Sequence, residues 1–228
     1  MRELLEKLGR NHRLTTEEYT QLIRFRTPQL RQRADRTRRE RWGTRVHLRG
    51  VLDVSSICQH DCRHCAQGTS ADPRLRYRMR PREILDCCEE GEALEIRSFL
   101  LRSGPDRFYS EKMLSVLVER LHRSFPDCSV TLAMGERSRE GLEMLYNAGA
   151  DRYLLRHETA DSVHYAKLHP PFQTLESRMQ CLADLKGIGY QTGCGIMVSS
   201  PGQTPETLAE DMLFMQEFQP HMVGIGPF

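Results

Sequence analysis

Short apolar runs and helical patterns alternate about six times along this chain after Gly43. The apolar runs have the length and composition of buried strands, and turn-forming residues separate them from the helical patterns. Such alternation predicts an α/β fold, in which right-handed helical crossovers connect the strands of a parallel sheet. We predict strands at Val46–Val54, Arg97–Leu101, Ser129–Met134, Arg152–Leu155, Gln191–Val198 and Met222–Ile225, and helices at Pro81–Gly91, Glu111–Phe125, Ser138–Ala148, Leu175–Ile188 and Pro205–Phe218.

Either an open doubly wound sheet or a (β/α) barrel satisfies this pattern, and both place functional residues at the carboxyl ends of the strands. A closed eight-stranded barrel typically needs about 250 residues, whereas the 228 residues here supply six predicted strands. A barrel would therefore be incomplete, with about six of eight βα units. Because two sheet edges would then be open, we expect the isolated chain to be poorly soluble or oligomeric.

The charge and hydropathy of the chain narrow the class of protein. A formal net charge of +2 is too small to indicate a nucleic-acid or membrane partner for the whole molecule. There is no secretory signal pattern and no run of about 18 apolar residues, which predicts a soluble, cytoplasmic protein. Seven arginines between Arg31 and Arg45 suggest a polyanion site, but Asp35 and Glu40 among them favour a solvated helix face.

Three of the eight cysteines lie in the stretch SSICQHDCRHCAQG, directly after the first predicted strand. Three thiolates on one short loop can bind three irons of a 4Fe-4S cluster and leave the fourth iron open. A zinc site in which His60 or His64 joins the cysteines is the alternative. The compact spacing and the strand-end position favour the iron-sulfur cluster, with Cys58, Cys62 and Cys65 as ligands. We predict that the other five cysteines are buried apolar residues: Cys87, Cys88, Cys128, Cys181 and Cys194.

The spacing C-x-x-x-C-x-x-C after a first strand resembles the signature of radical S-adenosylmethionine (SAM) enzymes. A more specific match is AGADRYLLRHETA at Ala148–Ala160. Together the motifs resemble the HydE-type maturases of the [FeFe]-hydrogenase active-site cluster (H-cluster), which are similar to methylornithine synthase and, more distantly, to biotin synthase. The other matching segments are RVHLRG at Arg45–Gly50, VTLAMGERSRE at Val130–Glu140, MVSSPGQT at Met197–Thr204 and HMVGIGPF at His221–Phe228.

This resemblance implies an incomplete TIM-type radical SAM barrel over residues 45–228, preceded by an N-terminal helical extension over residues 1–44. It implies that the three cysteines carry a 4Fe-4S cluster whose open iron chelates SAM. Reductive cleavage of SAM would then give methionine and a 5′-deoxyadenosyl radical. By position, the resemblance implies cofactor contacts for Arg156, Glu158, Arg178, Ser103 and Gly104, and a substrate contact for Thr131. Without the resemblance, Arg178 would be interpreted as a helix-surface arginine.

Two positions depart from the family pattern. His64 stands where an aromatic residue packs near the adenine, although an imidazole can still stack there. The turn Ser103-Gly104-Pro105-Asp106 lacks the family carboxylate that meets the amino group of SAM, so Asp106, one position later, is the expected imperfect substitute. This turn and the missing strands leave open a truncated, catalytically inactive remnant or scaffold.

The resemblance further implies a small-molecule or iron-complex substrate, an electron donor of ferredoxin or flavodoxin type, and other hydrogenase maturases as partners. A methylornithine synthase-like mutase, which rearranges lysine, is an alternative with the same cluster chemistry. A zinc module that binds nucleic acid through Arg31–Arg45 is the alternative from a different class. The leading interpretation involves neither nucleic acid nor membrane.

Overall fold

The computed structural model describes residues 1–70 and 72–228. Within them, six strands form one parallel sheet whose order follows the chain, from β1 at one edge to β6 at the other. The strands are β1 (Gly50–Asp53), β2 (Ser98–Arg102), β3 (Ser129–Ala133), β4 (Arg152–Leu154), β5 (Gln191–Val198) and β6 (Met222–Pro227). The α-helices are α1 (Arg2–Asn11), α2 (Thr16–Arg24), α3 (Pro28–Trp42), α4 (Pro81–Ala93), α5 (Glu111–Ser124), α6 (Arg139–Asn147), α7 (Ser162–Leu168), α8 (Leu175–Ile188) and α9 (Pro205–Phe218).

The strand order decides between the two predicted architectures. A doubly wound sheet reverses its strand order at a switch point, and its helices cover both faces. Here each strand adds to the edge just formed, so right-handed crossovers place their helices on one face. That face is the core, in which strand and helix residues pack together: Leu101, Leu132, Tyr153, Ile84, Leu114, Leu142 and Leu182. The prediction of an incomplete (β/α) TIM-type barrel is therefore confirmed, with six strands.

The predicted elements agree with the observed ones to within a few residues except at the first strand. β1 begins at Gly50 and not at Val46. Val46 and Leu48 alternate as a strand would, but they are 84% and 70% exposed and pair with no neighbouring strand. The structure also contains α7, a helix of seven residues that the sequence analysis did not predict.

The opposite face of the sheet is concave and carries the strand side chains that point away from the helices. Leu100 of β2 pairs with Thr131 of β3, and Thr131 pairs with Arg152 of β4. Residues in one register row share a face, and side chains two positions further along a strand share it too. Leu154 therefore follows Arg152 on this face, towards the carboxyl ends of the strands, where the sequence analysis expects the functional residues.

The N-terminal helices pack on the far end of the sheet. Thr15 and Glu18 form a capping box at the start of α2. Gln216 of α9 accepts hydrogen bonds from the Leu14 N–H (2.8 Å) and the Tyr19 hydroxyl (2.9 Å). Between α3 and β1 the chain returns across the sheet, and Arg49 Nη2 lies 3.9 Å from the Met222 sulfur of β6.

The arginine-rich helix α3 has no buried residue. Asp35 accepts hydrogen bonds from Arg38 (3.0 Å) and Arg39 (2.7 Å), and Glu40 accepts one from Arg36 (3.0 Å). These exposed pairs three and four residues apart are those of a solvated helix face. They support that interpretation over a preformed polyanion site.

Four of the five cysteines outside the loop are buried, as predicted: Cys88, Cys128, Cys181 and Cys194. The prediction is wrong for Cys87, which is exposed because it lies one position along α4 from the buried Cys88 and so on another side of that helix. In the part of the chain that the structure describes, no helix is long and apolar enough to cross a membrane.

Candidate cofactor site

A cavity of about 570 Å³ opens at the carboxyl ends of the strands. Its volume lies in the range of small-molecule and cofactor sites, about 300 to 1,000 Å³. It brings together the cysteine loop, the turn after β2, and residues at the ends of β3, β4 and β6. His169 and Gln173 from the segment before α8, and Arg178 from α8 itself, complete the lining. The residues with a predicted or alternative role at the site that line the cavity are Cys58, Cys62, Cys65, His60, His64, Ser103, Gly104, Arg156, Glu158 and Arg178.

The three cysteines of the loop present their thiols to this cavity with graded exposure. Cys58 is buried, Cys62 is half-buried and Cys65 is exposed. The His60 N–H donates to Cys58 Sγ (3.3 Å), and the Gln67 N–H donates to Cys65 Sγ (3.4 Å). Backbone donors of this kind stabilise negative charge on metal-bound sulfur.

The charge state of the thiols argues against a free nucleophilic cysteine in the loop. Burial raises the pKa of the Cys62 thiol to about 12, and burial raises the pKa of Cys58 as well. Both thiols are therefore protonated at neutral pH when nothing is bound. A metal ion supplies the positive charge that deprotonates a coordinating thiol, so the loop fits a metal centre better than a nucleophilic cysteine.

Gly104 allows the turn after β2 to approach the loop closely. A Cβ atom at this position would lie 2.6 Å from both Cβ and Sγ of Cys58. The neighbouring Ser103 hydroxyl donates to the Gly104 carbonyl oxygen (2.8 Å) and so fixes the turn. Only a residue without a side chain leaves room for the sulfur there.

We expect Gly104→Ala to weaken cluster retention by displacing Cys58. Overpacking of this kind costs about 1 to 3 kcal/mol, so the variant should lose iron on gel filtration after anaerobic reconstitution and should unfold at lower urea concentration. Gly187→Ala is the matched control, because its added Cβ would meet no atom closer than Arg139 Nη1 at 3.7 Å. Equal iron retention in the two variants would contradict the prediction.

Arg156 and Glu158 follow β4 and line the cavity side by side. Arg156 Nε lies 3.1 Å from Glu158 Oε1, and the Glu158 side chain is almost fully buried. Glu158 has a φ of 68°, which is uncommon for a residue other than glycine. Its backbone bonds to Gly195 (3.0 Å) and Met197 (3.3 Å) of β5 hold that conformation. The geometry therefore fixes the carboxylate at the cavity wall.

We expect Glu158→Gln to stabilise the cofactor-free chain increasingly as the pH rises. Burial raises the pKa of Glu158 above its usual 4.5, although Arg156 opposes the shift. A carboxyl whose pKa is higher in the folded than in the unfolded state loses its stabilising contribution as pH rises through the folded pKa. The urea midpoints of variant and wild type should thus be close at about pH 4 and diverge by about pH 7. A difference that does not change over this range would contradict the assignment.

Arg178 lies in the first turn of α8 and is buried, so its interpretation as a helix-surface residue is wrong. Its Nε donates to Glu136 Oε1 (2.6 Å) and its Nη1 donates to the Arg156 carbonyl oxygen (2.5 Å). Glu136 also lines the cavity, and the sequence analysis gave it no role. Its position just after β3, at the carboxyl end of a predicted strand, was the available signal.

Three residues in or near the predicted site are not among the described residues that line this cavity: Asp106, Thr131 and His157. Asp106 does not line this cavity among the described residues, so it is no substitute for the missing carboxylate. Arg78 donates two hydrogen bonds to it (2.8 and 2.9 Å) and Ser55 a third (2.8 Å). Thr131 is buried on the concave face but is not one of the described residues that line the cavity. His157, between Arg156 and Glu158, is buried against Asp211 (3.6 Å), which favours a structural role.

The side chains around Cys62 also keep a zinc interpretation open on geometry alone. The ligand atoms of Cys62, His64 and His169 lie within 4.8 Å of one another. Burial lowers the pKa of His64 to about 4 and that of His169 to about 3, so both imidazoles are neutral and able to bind a metal. The set differs from the predicted zinc alternative, in which all three cysteines take part.

Comparison with known proteins decides between these interpretations. The sequence profile of the radical SAM superfamily matches residues 52–215, which include the cysteine loop, Arg156, Glu158 and Arg178. The chain belongs to the radical SAM superfamily. Radical SAM enzymes bind a 4Fe-4S cluster and SAM, so the predicted cofactors are confirmed for the family and zinc is not the expected metal.

Two curated relatives and one solved structure show how far the likeness extends. The [FeFe] hydrogenase maturase subunit HydE of Thermotoga maritima is 39% identical over 100% of this chain and 65% of its own length. Biotin synthase of Cutibacterium acnes is 28% identical over 92% of this chain and 60% of its own length. The chain thus spans about two thirds or less of these relatives. The crystal structure of methylornithine synthase (PylB) matches with a TM-score of 0.89 at 23% identity, over 99% of this chain and 67% of that one, which shows a shared fold.

Proposed function

We propose that this chain is a radical SAM enzyme of HydE type that acts in assembly of the [FeFe]-hydrogenase H-cluster. The observation that carries the proposal is the 39% identity to HydE over the whole chain. The convergence of the cysteine loop with Arg156, Glu158 and Arg178 at one cavity supports it. The two guanidinium groups and the carboxylate there suit a ligand that carries both a carboxylate and hydrogen-bond donors.

In this proposal Cys58, Cys62 and Cys65 hold three irons of the cluster. When bound and reduced, the cluster supplies the electron that cleaves SAM to methionine and a 5′-deoxyadenosyl radical. The backbone donors to Cys58 and Cys65 and the space left by Gly104 support this ligand set.

The neighbouring side chains would hold SAM. Arg178 uses Nε and Nη1 within the protein, and its Nη2 carries two further donors for a carboxylate. Glu158 Oε1 forms the ion pair with Arg156, while Glu158 Oε2 is buried with no hydrogen-bond partner among the described residues. Such an acceptor suits a ribose hydroxyl or the amino group of SAM. Ser103 and Gly104 contribute the turn below the ligand.

The proposal includes two further residues, His64 at the cavity wall and Thr131 on the concave face. His64 would take the place of the family's aromatic residue beside the adenine, and its neutral imidazole supports stacking. Thr131 would contact the substrate. Its hydroxyl lies on the concave face, fully buried and with no hydrogen-bond partner in the described part of the chain, which supports a role towards a bound molecule.

The proposal includes a substrate, an electron donor, a compartment and partner proteins. Its substrate is a small molecule or iron complex, its electron donor a ferredoxin or flavodoxin, and its compartment the cytoplasm, where the other hydrogenase maturases would be its partners. The likeness to HydE supports these assignments. The size of the cavity agrees with a small substrate.

Anaerobic reconstitution with iron and sulfide, followed by incubation with SAM and dithionite, tests the proposal. We expect about four iron and four sulfide per chain and formation of 5′-deoxyadenosine. Stoichiometric zinc without sulfide would refute the cluster. A loaded chain that binds SAM but forms no 5′-deoxyadenosine would instead be an inactive scaffold, and conversion of lysine to methylornithine would identify the mutase.

A further inference from the structure

The segment between α7 and α8 packs directly on the cysteine loop. It begins at the carboxyl end of α7 and ends at Gln173, one residue before Thr174, the N-cap of α8. The contacts are a hydrogen bond from the Arg63 N–H to the Leu168 carbonyl oxygen (3.0 Å), ring contacts of His60 with Phe172 (5.3 Å) and of His64 with His169 (5.0 Å), and a hydrogen bond between Cys62 Sγ and Gln173 Oε1 (3.1 Å). The loop is therefore supported from outside as well as by its own turns.

Among the described residues, each of the three sulfurs has one close hydrogen-bonding group, and the three groups are not of the same kind. Cys58 and Cys65 accept from the backbone N–H groups of His60 and Gln67. Cys62 instead meets the side-chain amide of Gln173. A backbone donor is present whatever the side chain, whereas this third group depends on a glutamine.

We propose that Gln173 is a positioning residue for the cluster, which donates its side-chain N–H to the Cys62 sulfur and thereby raises the reduction potential. This rests on the proposed function, because it takes Cys62 as a cluster ligand. A thiol donates to the amide oxygen, as the 3.1 Å contact shows. A metal-bound thiolate only accepts, so the amide turns to present Nε2, since its two ends are nearly equal in shape.

The position of Gln173 suits this role. The side chain is buried, with 8% of the residue exposed. Its backbone N–H donates to the Pro170 carbonyl oxygen (3.0 Å), which closes a turn, and the Thr174 hydroxyl caps α8 by accepting from the Ser177 N–H (3.1 Å). The amide is therefore held next to the sulfur. Hydrogen bonds to cluster sulfurs favour the reduced, more negative state.

Potentiometric titration of the reconstituted chain, followed by electron paramagnetic resonance, tests the proposal without reference to turnover. We expect Gln173→Leu to lower the equilibrium constant for cluster reduction about tenfold, which is about 59 mV for a one-electron couple. Gln173→Met, of similar length, should do the same. Gln180→Leu on the exposed side of α8 is the matched control and should keep the wild-type potential, because Gln180 bonds to Asp184 (3.1 Å) away from the loop.

The outcomes separate this inference from the proposed function. Wild-type potentials in both Gln173 variants, or an equal shift in Gln180→Leu, would overturn it. If neither Gln173 variant binds iron while Gln180→Leu does, Gln173 is needed to hold the cluster and the tuning role is also wrong. If the wild-type chain takes up zinc but no cluster, the proposed function itself fails.

Discussion

Replacing Cys65 with alanine should abolish both cluster binding and SAM cleavage. Two protein thiolates would remain for a cluster that needs three, so iron should fall from about four per chain to less than about one. No 5′-deoxyadenosine should then form. Cys65 is the most informative of the three cysteines because it is exposed. Its removal leaves no cavity in a packed core, and a loss of iron cannot be attributed to unfolding.

Cys87→Ala is the matched control for this experiment. Cys87 is also exposed but lies on α4, outside the loop. The control should bind iron and sulfide and form 5′-deoxyadenosine as the wild type does. A full complement of iron in Cys65→Ala would contradict the assignment of the three loop cysteines, and the set of Cys62, His64 and His169 would then need testing.

Replacing Arg178 with methionine should reduce both stability and SAM affinity. Breaking a fully buried ion pair by removing one partner costs about 3 kcal/mol or more. The cost should be smaller here, because Glu136 is half-buried and keeps the Ser177 hydroxyl as a donor, although Glu136 and the Arg156 carbonyl oxygen each lose a bond from Arg178. Loss of a charge-assisted hydrogen bond to the carboxylate of SAM should weaken binding by about tenfold to a hundredfold. Urea unfolding of the cofactor-free chain and equilibrium dialysis of the loaded chain with SAM measure the two effects.

A double variant separates the structural effect from the effect on binding. Adding Glu136→Gln to Arg178→Met removes the carboxylate charge that has lost its cation and keeps only the Ser177 hydroxyl as a donor (2.7 Å), so much of the stability should return while SAM binding stays weak. Arg139→Met is the control for loss of an arginine, since Arg139 forms only exposed pairs with Glu143 (3.0 Å) and Asp184 (3.2 Å), which contribute little. Recovery of SAM affinity in the double variant would show that Arg178 acts only on folding.

The sheet could be predicted from sequence because strand-length apolar runs and helical periodicity are local signals. The same signals misplaced the start of the first strand, since Val46 and Leu48 alternate without meeting a partner strand. They also missed α7, because seven residues give too few turns for a period to be recognised. Local pattern thus predicts which elements exist better than where each one begins.

The candidate site was predictable only in part, for a related reason. The spacing of Cys58, Cys62 and Cys65 is local and carries its own meaning, whereas the burial of Arg178 depends on which side of α8 meets the strand ends. Asp106 shows the opposite error. Its carboxylate was counted as available, but Arg78, 28 residues earlier, takes it up. Contacts between segments that are distant in sequence decide such cases, and no periodicity reports them.

The packing of α2 on α9 changes the connectivity of the fold. In the sheet each strand pairs only with the strands before and after it in the chain, from β1 at one edge to β6 at the other, so strand pairing joins segments that are near in sequence. The bond between Leu14 and Gln216 joins residues 202 positions apart, so the network of contacts becomes a ring although the sheet is open. Closing such a ring costs loop entropy once. Afterwards α2 and α9 form one cooperative unit, and neither helix unfolds without losing its contacts with the other.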